Sequence, residues 1–329
     1  MANSSSSFSR RARDRSGERH TPLIPESDNR HCTGPRRSLW LLCQLTISLI
    51  LLVAGCARQP SSSPNGASGA VETIENKGSD TLVNLALAWA EAYMSLHPDM
   101  RISVTGGGSG TGIAALINGT INIANASREM KPEEIAAAKA NGITPVELVV
   151  ARDAIAVVVN PANPVSRLTL QQLSDIYTGK ITNWREVGGE DRPIVLLSRE
   201  SNSGTYVYFL ENVVRLGKPS DLLFSPDTLL MPSSEGISTE VRQNPNTIGY
   251  DGLGYVTPDQ KKIAVAKDSA SPYVLPSVDT VNDGSYPIAR PLYMYTAGQP
   301  SGPVKDYLDW VVSDGQALVV KLGFVPLSK

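Results

Sequence analysis

The chain has 329 residues, 41% of them hydrophobic and 19% charged, with a formal net charge of -2. That length suits about two domains, and the composition is that of an ordinary globular protein. The near-neutral balance excludes the strongly basic surface expected of a nucleic-acid-binding protein.

The first 56 residues stand apart from the rest. Met1 to Arg37 is polar and rich in Ser and Arg, and Leu39 to Val53 is an apolar run. The run is too short for a comfortable transmembrane helix and suits the core of a signal peptide. It ends in Leu52-Val53-Ala54-Gly55-Cys56, and small residues directly before a Cys resemble the lipobox of bacterial lipoproteins, in which the Cys is lipidated and becomes the new N-terminus. The reading is therefore a signal peptide with a long polar leader over 1–55, then lipidated Cys56 and a flexible Ser/Pro/Gly-rich linker over 56–70. Removing 1–55 takes away eight Arg and four acids, leaving 22 basic and 28 acidic residues, a net of about -6. Such a field does not attract anions, so an anion site would have to work through local dipoles and hydrogen bonds. Cys32 and Cys43 leave with the signal, and His97 is the one His that remains. This leaves no Cys pair for an internal disulfide and no Cys metal cluster, and it argues against a multi-His metal site and a His-dependent triad; no cofactor is expected.

From Val71 onward, strand and helix signals alternate. Val71 to Ile74 reads as a strand. Gly78-Ser79-Asp80-Thr81 then leads into an apolar helix, Leu82 to Leu96, with three good capping residues at its start. Arg101 to Val104 is a strand, followed by Gly106-Gly107-Gly108-Ser109-Gly110-Thr111-Gly112 and a helix from Ile113 to Ile117. Glycines let a ligand approach the backbone closely. No Lys completes a Walker loop. A dinucleotide fingerprint, Gly110-x-Gly112-x-x-Ala115, lacks the acid expected after the next strand, where Ser127-Arg128 stand instead, although an Arg would suit a 2′-phosphate. A nucleophile elbow at Ser109 fails because Thr111 holds its last position. Ile121 to Ala126 is the next strand, with Ser127-Arg128 at its carboxyl end, where ligands of open α/β sheets gather. A helix begins at Pro132-Glu133-Glu134 and ends at Gly142. Val146 to Ala151 and Ala154 to Asn160 are apolar runs split by Arg152-Asp153, an extended stretch suited to crossing between lobes.

In the second half, Thr169 caps a helix ending near Gly179, and Trp184 is expected to serve the core. Ile194 to Ser198 is a short buried strand, followed by Arg199-Glu200-Ser201-Asn202-Ser203-Gly204-Thr205 and a helix from Tyr206 to Leu216. Ser203 is placed to cap that helix. A helix start binds anions through unpaired N–H groups and its dipole, and Arg199 adds a forked cation suited to a tetrahedral oxyanion. Ser233 or Ser234 caps a helix through Val241. Ile248-Gly249-Tyr250 and Gly254-Tyr255-Val256 read as short strands. Tyr286 to Tyr295, broken by two Pro, reads as an edge or crossover strand rather than a central one. Gly302 to Val312 is a C-terminal helix. No internal repeat is visible.

Three capped helix starts thus follow strands: Ser79-Asp80-Thr81, Ser109-Gly110-Thr111 and Ser203-Gly204-Thr205. Taken in chain order with Ala126-Ser127-Arg128, Gly179-Lys180-Ile181-Thr182-Asn183-Trp184 and Ile248-Gly249-Tyr250, they resemble the phosphate-binding proteins that feed high-affinity phosphate ABC transporters. The resemblance runs from about Val71 to the C-terminus. It implies an α/β, two-lobed type II periplasmic-binding-protein fold, each lobe a mainly parallel sheet flanked by helices, joined by two crossover strands. Lobe 1 would comprise 71–153 and 265–329, and lobe 2 would comprise 154–264. It implies phosphate ligands at Thr81, Leu82, Ser109, Ser127, Arg199, Ser203, Gly204 and Thr205, with Asp80, Gly110, Thr111 and Arg128 as additional candidates. Leu82 and Gly204 would act through backbone N–H. The implied partners are inorganic phosphate, the permease and ATPase subunits of the transporter, and a membrane reached through the anchor on Cys56. A monomer is expected, outside the cytoplasm.

Some members of the family carry Asp where this chain has Arg128, and that Asp accepts the phosphate proton. Asp80, or else Glu200, is the replacement expected here; for Asp80 the competing role is helix capping alone. Other readings are capture of sulfate, molybdate or tungstate, a secreted phosphatase or esterase using Ser109 or Ser203, and a phosphate-sensing subunit.

Overall fold

The computed structural model describes residues 72–327. The leader, the lipobox and the linker lie outside the described residues. In chain order the elements are β1 (Glu72–Gly78), α1 (Asp80–Leu96), β2 (Met100–Thr105), α2 (Ser109–Ile117), β3 (Ile123–Ala126), α3 (Pro132–Ala140) and β4 (Val146–Val159). They continue with β5 (Arg167–Thr169), α4 (Leu170–Tyr177), β6 (Val195–Arg199), α5 (Gly204–Phe209), β7 (Leu229–Met231), α6 (Ser234–Gln243) and β8 (Thr247–Gly252). The last are β9 (Lys261–Lys262), β10 (Ala264–Ala266), α7 (Val278–Asn282), β11 (Ala289–Thr296), α8 (Gly302–Val311) and α9 (Gln316–Lys321).

β4 organises the whole. Its two apolar runs form one strand: the first half pairs antiparallel with β11, and the second pairs antiparallel with β8 and β9. Ala154 to Val159 are fully buried, as expected of a β-branched run covered on both faces. Around β4 the sheet order is β2-β1-β3-β11-β4-β8-β6-β7. β1 lies parallel to β2 and β3, and β6 lies parallel to β7 and β8. The two lobes therefore repeat one strand order about β4, a repeat that leaves no trace in the sequence.

Each lobe has its own apolar core. Leu82, Leu85, Trp89 and Tyr93 of α1 pack with β1, β2, β11 and the C-terminal helices in lobe 1. Tyr177, Trp184, Phe209 and Tyr250 pack with Ile155 and Val157 in lobe 2. Both large indoles are anchored: Trp89 Nε1 donates to Gly315 O at 2.8 Å and Trp184 Nε1 to Asn246 O at 2.9 Å. The expected packing role of Trp184 is what its burial shows.

Several expectations are corrected. The expected return to lobe 1 at residue 265 falls later: Val281, Tyr286 and Ile288 pack in the lobe 2 core, and β10 pairs with β5, so the chain re-crosses at Ala289. β11 is central, lying between β3 and β4, despite its Pro. Pro291 is tolerated because its partner Arg152 turns both backbone groups the other way, exchanging hydrogen bonds with Val325. Pro291 therefore occupies a non-hydrogen-bonded rung, where the missing N–H costs nothing. Gly254-Tyr255-Val256 is not a strand: Leu253–Tyr255 is a 3₁₀ turn. The helix after Ser203 is α-helical only to Phe209 and continues as a π turn over Leu210–Val214.

Candidate functional site

In each lobe a candidate turn follows the first strand of the repeated order. β1 runs into α1, presenting Thr81, and β6 runs into α5, presenting Thr205. These two hydroxyls, from opposite lobes, lie 2.8 Å apart and are buried. Beside them, Ser109 at the start of α2 and Ser127 after β3 are joined: Ser109 Oγ accepts from Ser127 N at 3.0 Å and lies 3.3 Å from Ser127 Oγ. Gly204, from lobe 2, is seated against this pair. A Cβ there would fall 2.4 Å from Ser109 Oγ and 2.6 Å from Ser127 Oγ, so a side chain is excluded. Five of the eight sequence-derived ligand residues thus form one buried cluster drawn from both lobes.

The others have different engagements. Ser203 Oγ caps α5, accepting from Thr205 N at 3.2 Å and Tyr206 N at 3.4 Å, as its sequence position suggests. Leu82 is buried in the core, and its N–H donates to Ser79 O at 3.0 Å, so it does not offer the free N–H expected of it. Arg199 is buried and heavily engaged: Nε donates to Met231 O (3.2 Å), Nη1 to Ser234 Oγ (3.1 Å), and Nη2 to Asp80 Oδ2 (2.8 Å) and Pro232 O (3.0 Å). Four of five guanidinium N–H groups are therefore placed on protein, leaving one.

Of the additional candidates, Asp80 caps nothing; it receives Arg199 on Oδ2 and Gly107 N on Oδ1 at 3.0 Å. Gly110 N donates to Asn202 O at 3.0 Å, while Asn202 Nδ2 reaches Gly107 O at 2.9 Å and Thr111 Oγ1 at 3.4 Å. Asn202 thereby stitches the glycine-rich turn of lobe 1 to lobe 2. Arg128 turns to Glu134 with two bonds of 2.7 Å, and the arginine is one of the causes that hold the Glu134 carboxyl below its usual range against the effect of burial. Its charge is thus matched within lobe 1. Glu200 is exposed.

The sequence reading missed an inner layer of buried charge. Arg290 of β11 is paired with Asp153 of β4 at 3.1 Å, both essentially inaccessible, and the same guanidinium reaches Thr205 Oγ1 at 2.9 Å. Asp251 of β8 is buried as well. Burial pushes the Asp251 carboxyl up to about 6, with nearby Arg199 and Ser234 opposing the rise. Burial likewise raises the Asp153 carboxyl, partly offset by Arg290. The available signal was a charged residue inside an otherwise apolar strand, which rarely occurs without a partner. A cavity of about 420 Å³ adjoins Arg290, also lined by Arg128, Lys131, Tyr208 and Tyr293.

Two lobes sharing crossing strands, closed on a buried cluster of hydroxyls, helix starts and guanidinium groups, define a clamp-type solute-binding protein. Residues 63–315 match the family model described as PBP superfamily domain, and the chain belongs to that family. Within it, the chain is 36% identical over 279 residues to the phosphate-binding protein PstS of Pseudomonas aeruginosa, covering 79% of this chain and 85% of that one. It is 30% identical over 301 residues to PstS of Bacillus subtilis, covering 89% and 95%. Among solved structures, it is similar to a phosphate ABC transporter substrate-binding protein from Clostridium perfringens with bound phosphate, at TM-score 0.70 and 33% identity over 78% of this chain and 100% of that one. An ABC-type phosphate transport receptor from Vibrio cholerae matches at TM-score 0.62 and 31% identity, over 77% and 100%.

Proposed function

We propose that this protein captures inorganic phosphate outside the cytoplasm and hands it to an ABC transporter. The observation that carries the reading is the buried meeting of Thr81, Ser109 and Ser127 from one lobe with Gly204 and Thr205 from the other. A tetrahedral oxyanion needs donors on several sides, and closing two lobes around it supplies them without water. Each charge-assisted hydrogen bond contributes roughly 1.5–3 kcal/mol, enough in number to offset dehydration of the anion. The proposed ligands are the hydroxyls of Thr81, Ser109, Ser127, Ser203 and Thr205, the N–H of Gly204, and the remaining N–H of Arg199. Leu82 is left out because its N–H is taken. The phosphate-binding relatives support phosphate over sulfate, molybdate or tungstate.

Delivery to permease and ATPase subunits, action as a monomer, and lipid attachment through Cys56 belong to the same proposal. They rest on the family and on the lipobox-like sequence. Binding, and no catalysis, is the proposed activity. A hydrolase using Ser109 would need a base beside it, and His97 instead caps the far end of α1, about 24 Å along the helix from Thr81.

Calorimetric titration of the ligand-stripped protein with phosphate, with sulfate in parallel, tests the reading. Tight phosphate binding with weak or no sulfate binding is expected. A folded protein that binds neither anion refutes capture. Cys56→Ser is expected to release the protein from membranes in cell fractionation.

A further inference from the structure

Three buried or nearly buried guanidinium groups surround the hydroxyl cluster, and they differ in what they have left to give. Arg128 is matched by two bonds to Glu134 and bonds Glu129 O; its Nε is also buried without an acceptor among the described residues, but its bonds all lie within lobe 1 and none reaches a hydroxyl of the cluster. Arg199 is matched by Asp80 and places four of its N–H groups on protein. Arg290 is the one of the three that bonds hydroxyls of the cluster itself. Nη1 donates once, to Ser127 O at 2.9 Å. Nη2 serves Asp153 Oδ2 at 3.1 Å, Thr205 Oγ1 at 2.9 Å and Thr81 Oγ1 at 3.3 Å. Nε, although buried, has no acceptor among the described residues, and the second N–H of Nη1 has none either. A buried donor without an acceptor is costly, so a guanidinium kept in this state points to an acceptor supplied from outside the chain.

Its place in the fold strengthens the argument. Arg290 and Asp153 are register partners on β11 and β4, beside the point where both strands cross between lobes. From there Arg290 bonds a hydroxyl of lobe 1, Thr81, and a hydroxyl of lobe 2, Thr205. The Tyr208 ring lies 5.7 Å from the guanidinium carbon and restricts its movement. Asp153 balances the charge in the fold.

We propose that Arg290 is a phosphate-binding residue, the cation that reaches the anion from the hinge and couples its capture to the meeting of Thr81 with Thr205. The proposal rests on the hydroxyl cluster being the phosphate site. It assigns the principal charge contact to Arg290 and leaves Arg199 a smaller one, alongside its bond across the lobes to Asp80.

The test is phosphate calorimetry on Arg290→Gln and on the double variant Arg290→Gln/Asp153→Asn. The double variant keeps a hydrogen-bonding pair and leaves no unmatched buried charge, so it retains the fold; a cooperative thermal transition confirms that. Both variants are expected to bind phosphate about 10- to 100-fold more weakly, the loss expected for one charge-assisted bond. Gly204→Val runs alongside as a probe of the cluster itself. A folded double variant that binds like wild type while Gly204→Val does not would overturn the role of Arg290 and leave the site standing. If both bind like wild type, the site lies elsewhere and the two proposals fall together.

Discussion

Asp80 and Arg199 are joined across the two lobes by a bond of 2.8 Å, with the arginine buried and the aspartate nearly so. The same carboxylate receives Gly107 N, so it ties lobe 2 to the glycine-rich turn as well. This pair links the two lobes, and each Asp80 oxygen already serves one donor, which favours a tethering role for Asp80 over acceptance of a ligand's proton.

Asp80→Asn should therefore weaken phosphate binding by about tenfold, the scale of one charged hydrogen bond, and leave the preference for phosphate over sulfate unchanged. Parallel titrations with both anions check this. A collapse of the preference in Asp80→Asn would restore Asp80 as the proton acceptor. A double-mutant cycle with Arg199→Gln would show the two effects to be non-additive.

Gly204→Val tests closure. Its side chain would enter the space of Ser109 Oγ and Ser127 Oγ, which belong to the opposite lobe. Overpacking of this kind costs about 1–3 kcal/mol, so phosphate affinity should fall roughly 5- to 150-fold. The thermal midpoint without ligand should barely move, because the clash exists only when the lobes meet.

Stability should fall as pH rises from about 4 to about 6. The Asp251 carboxyl holds its proton in the folded protein up to about 6, against 3.8 for the ordinary group. Over that interval the folded state binds more protons than the unfolded state, so raising the pH favours unfolding. The difference is on the order of 3 kcal/mol. Asp153, also raised by burial, acts in the same sense, whereas the lowered Glu134 adds stability that is lost toward acid. Denaturant unfolding at pH 4.5 and 7.5 should show Asp251→Asn with a smaller loss than wild type. An equal loss in both would mean that Asp251 ionises freely in the fold.

Trp89→Ala should destabilise without touching the site. Trp89 is fully buried in lobe 1, and its indole donates to Gly315 O. Removing it should cost about 3–5 kcal/mol, read by denaturant titration, with phosphate affinity of the folded protein unchanged. A large affinity loss would show that the lobe 1 core transmits strain to the cleft.

Local signals carried much of this far. Capping residues and apolar spacing placed α1, α2, α4 and α6, because a helix start and its buried stripe are written within a few residues. The hydroxyl-bearing turns were legible for the same reason. β11 was misread because Pro291 disfavours a central strand, and only the direction in which Arg152 turns its backbone removes the objection. The lobe boundary was misplaced because Val281, Tyr286 and Ile288 could serve either core, and only packing assigns them to lobe 2.

The sequence by itself determined the turns, the cap at Ser203, the glycines that admit close approach, and a family whose members close on an anion. The tertiary structure decided which of those turns meet. It set Thr81 against Thr205 and Gly204 against Ser109, matched Arg199 to Asp80 and Arg128 to Glu134, and brought Arg290 to the cluster from a strand that carries no motif. The physical reason is range. Capping and helix periodicity act within a turn or two of the chain, whereas the partner of a buried charge is chosen by the sheet register, here across 137 residues between Asp153 and Arg290.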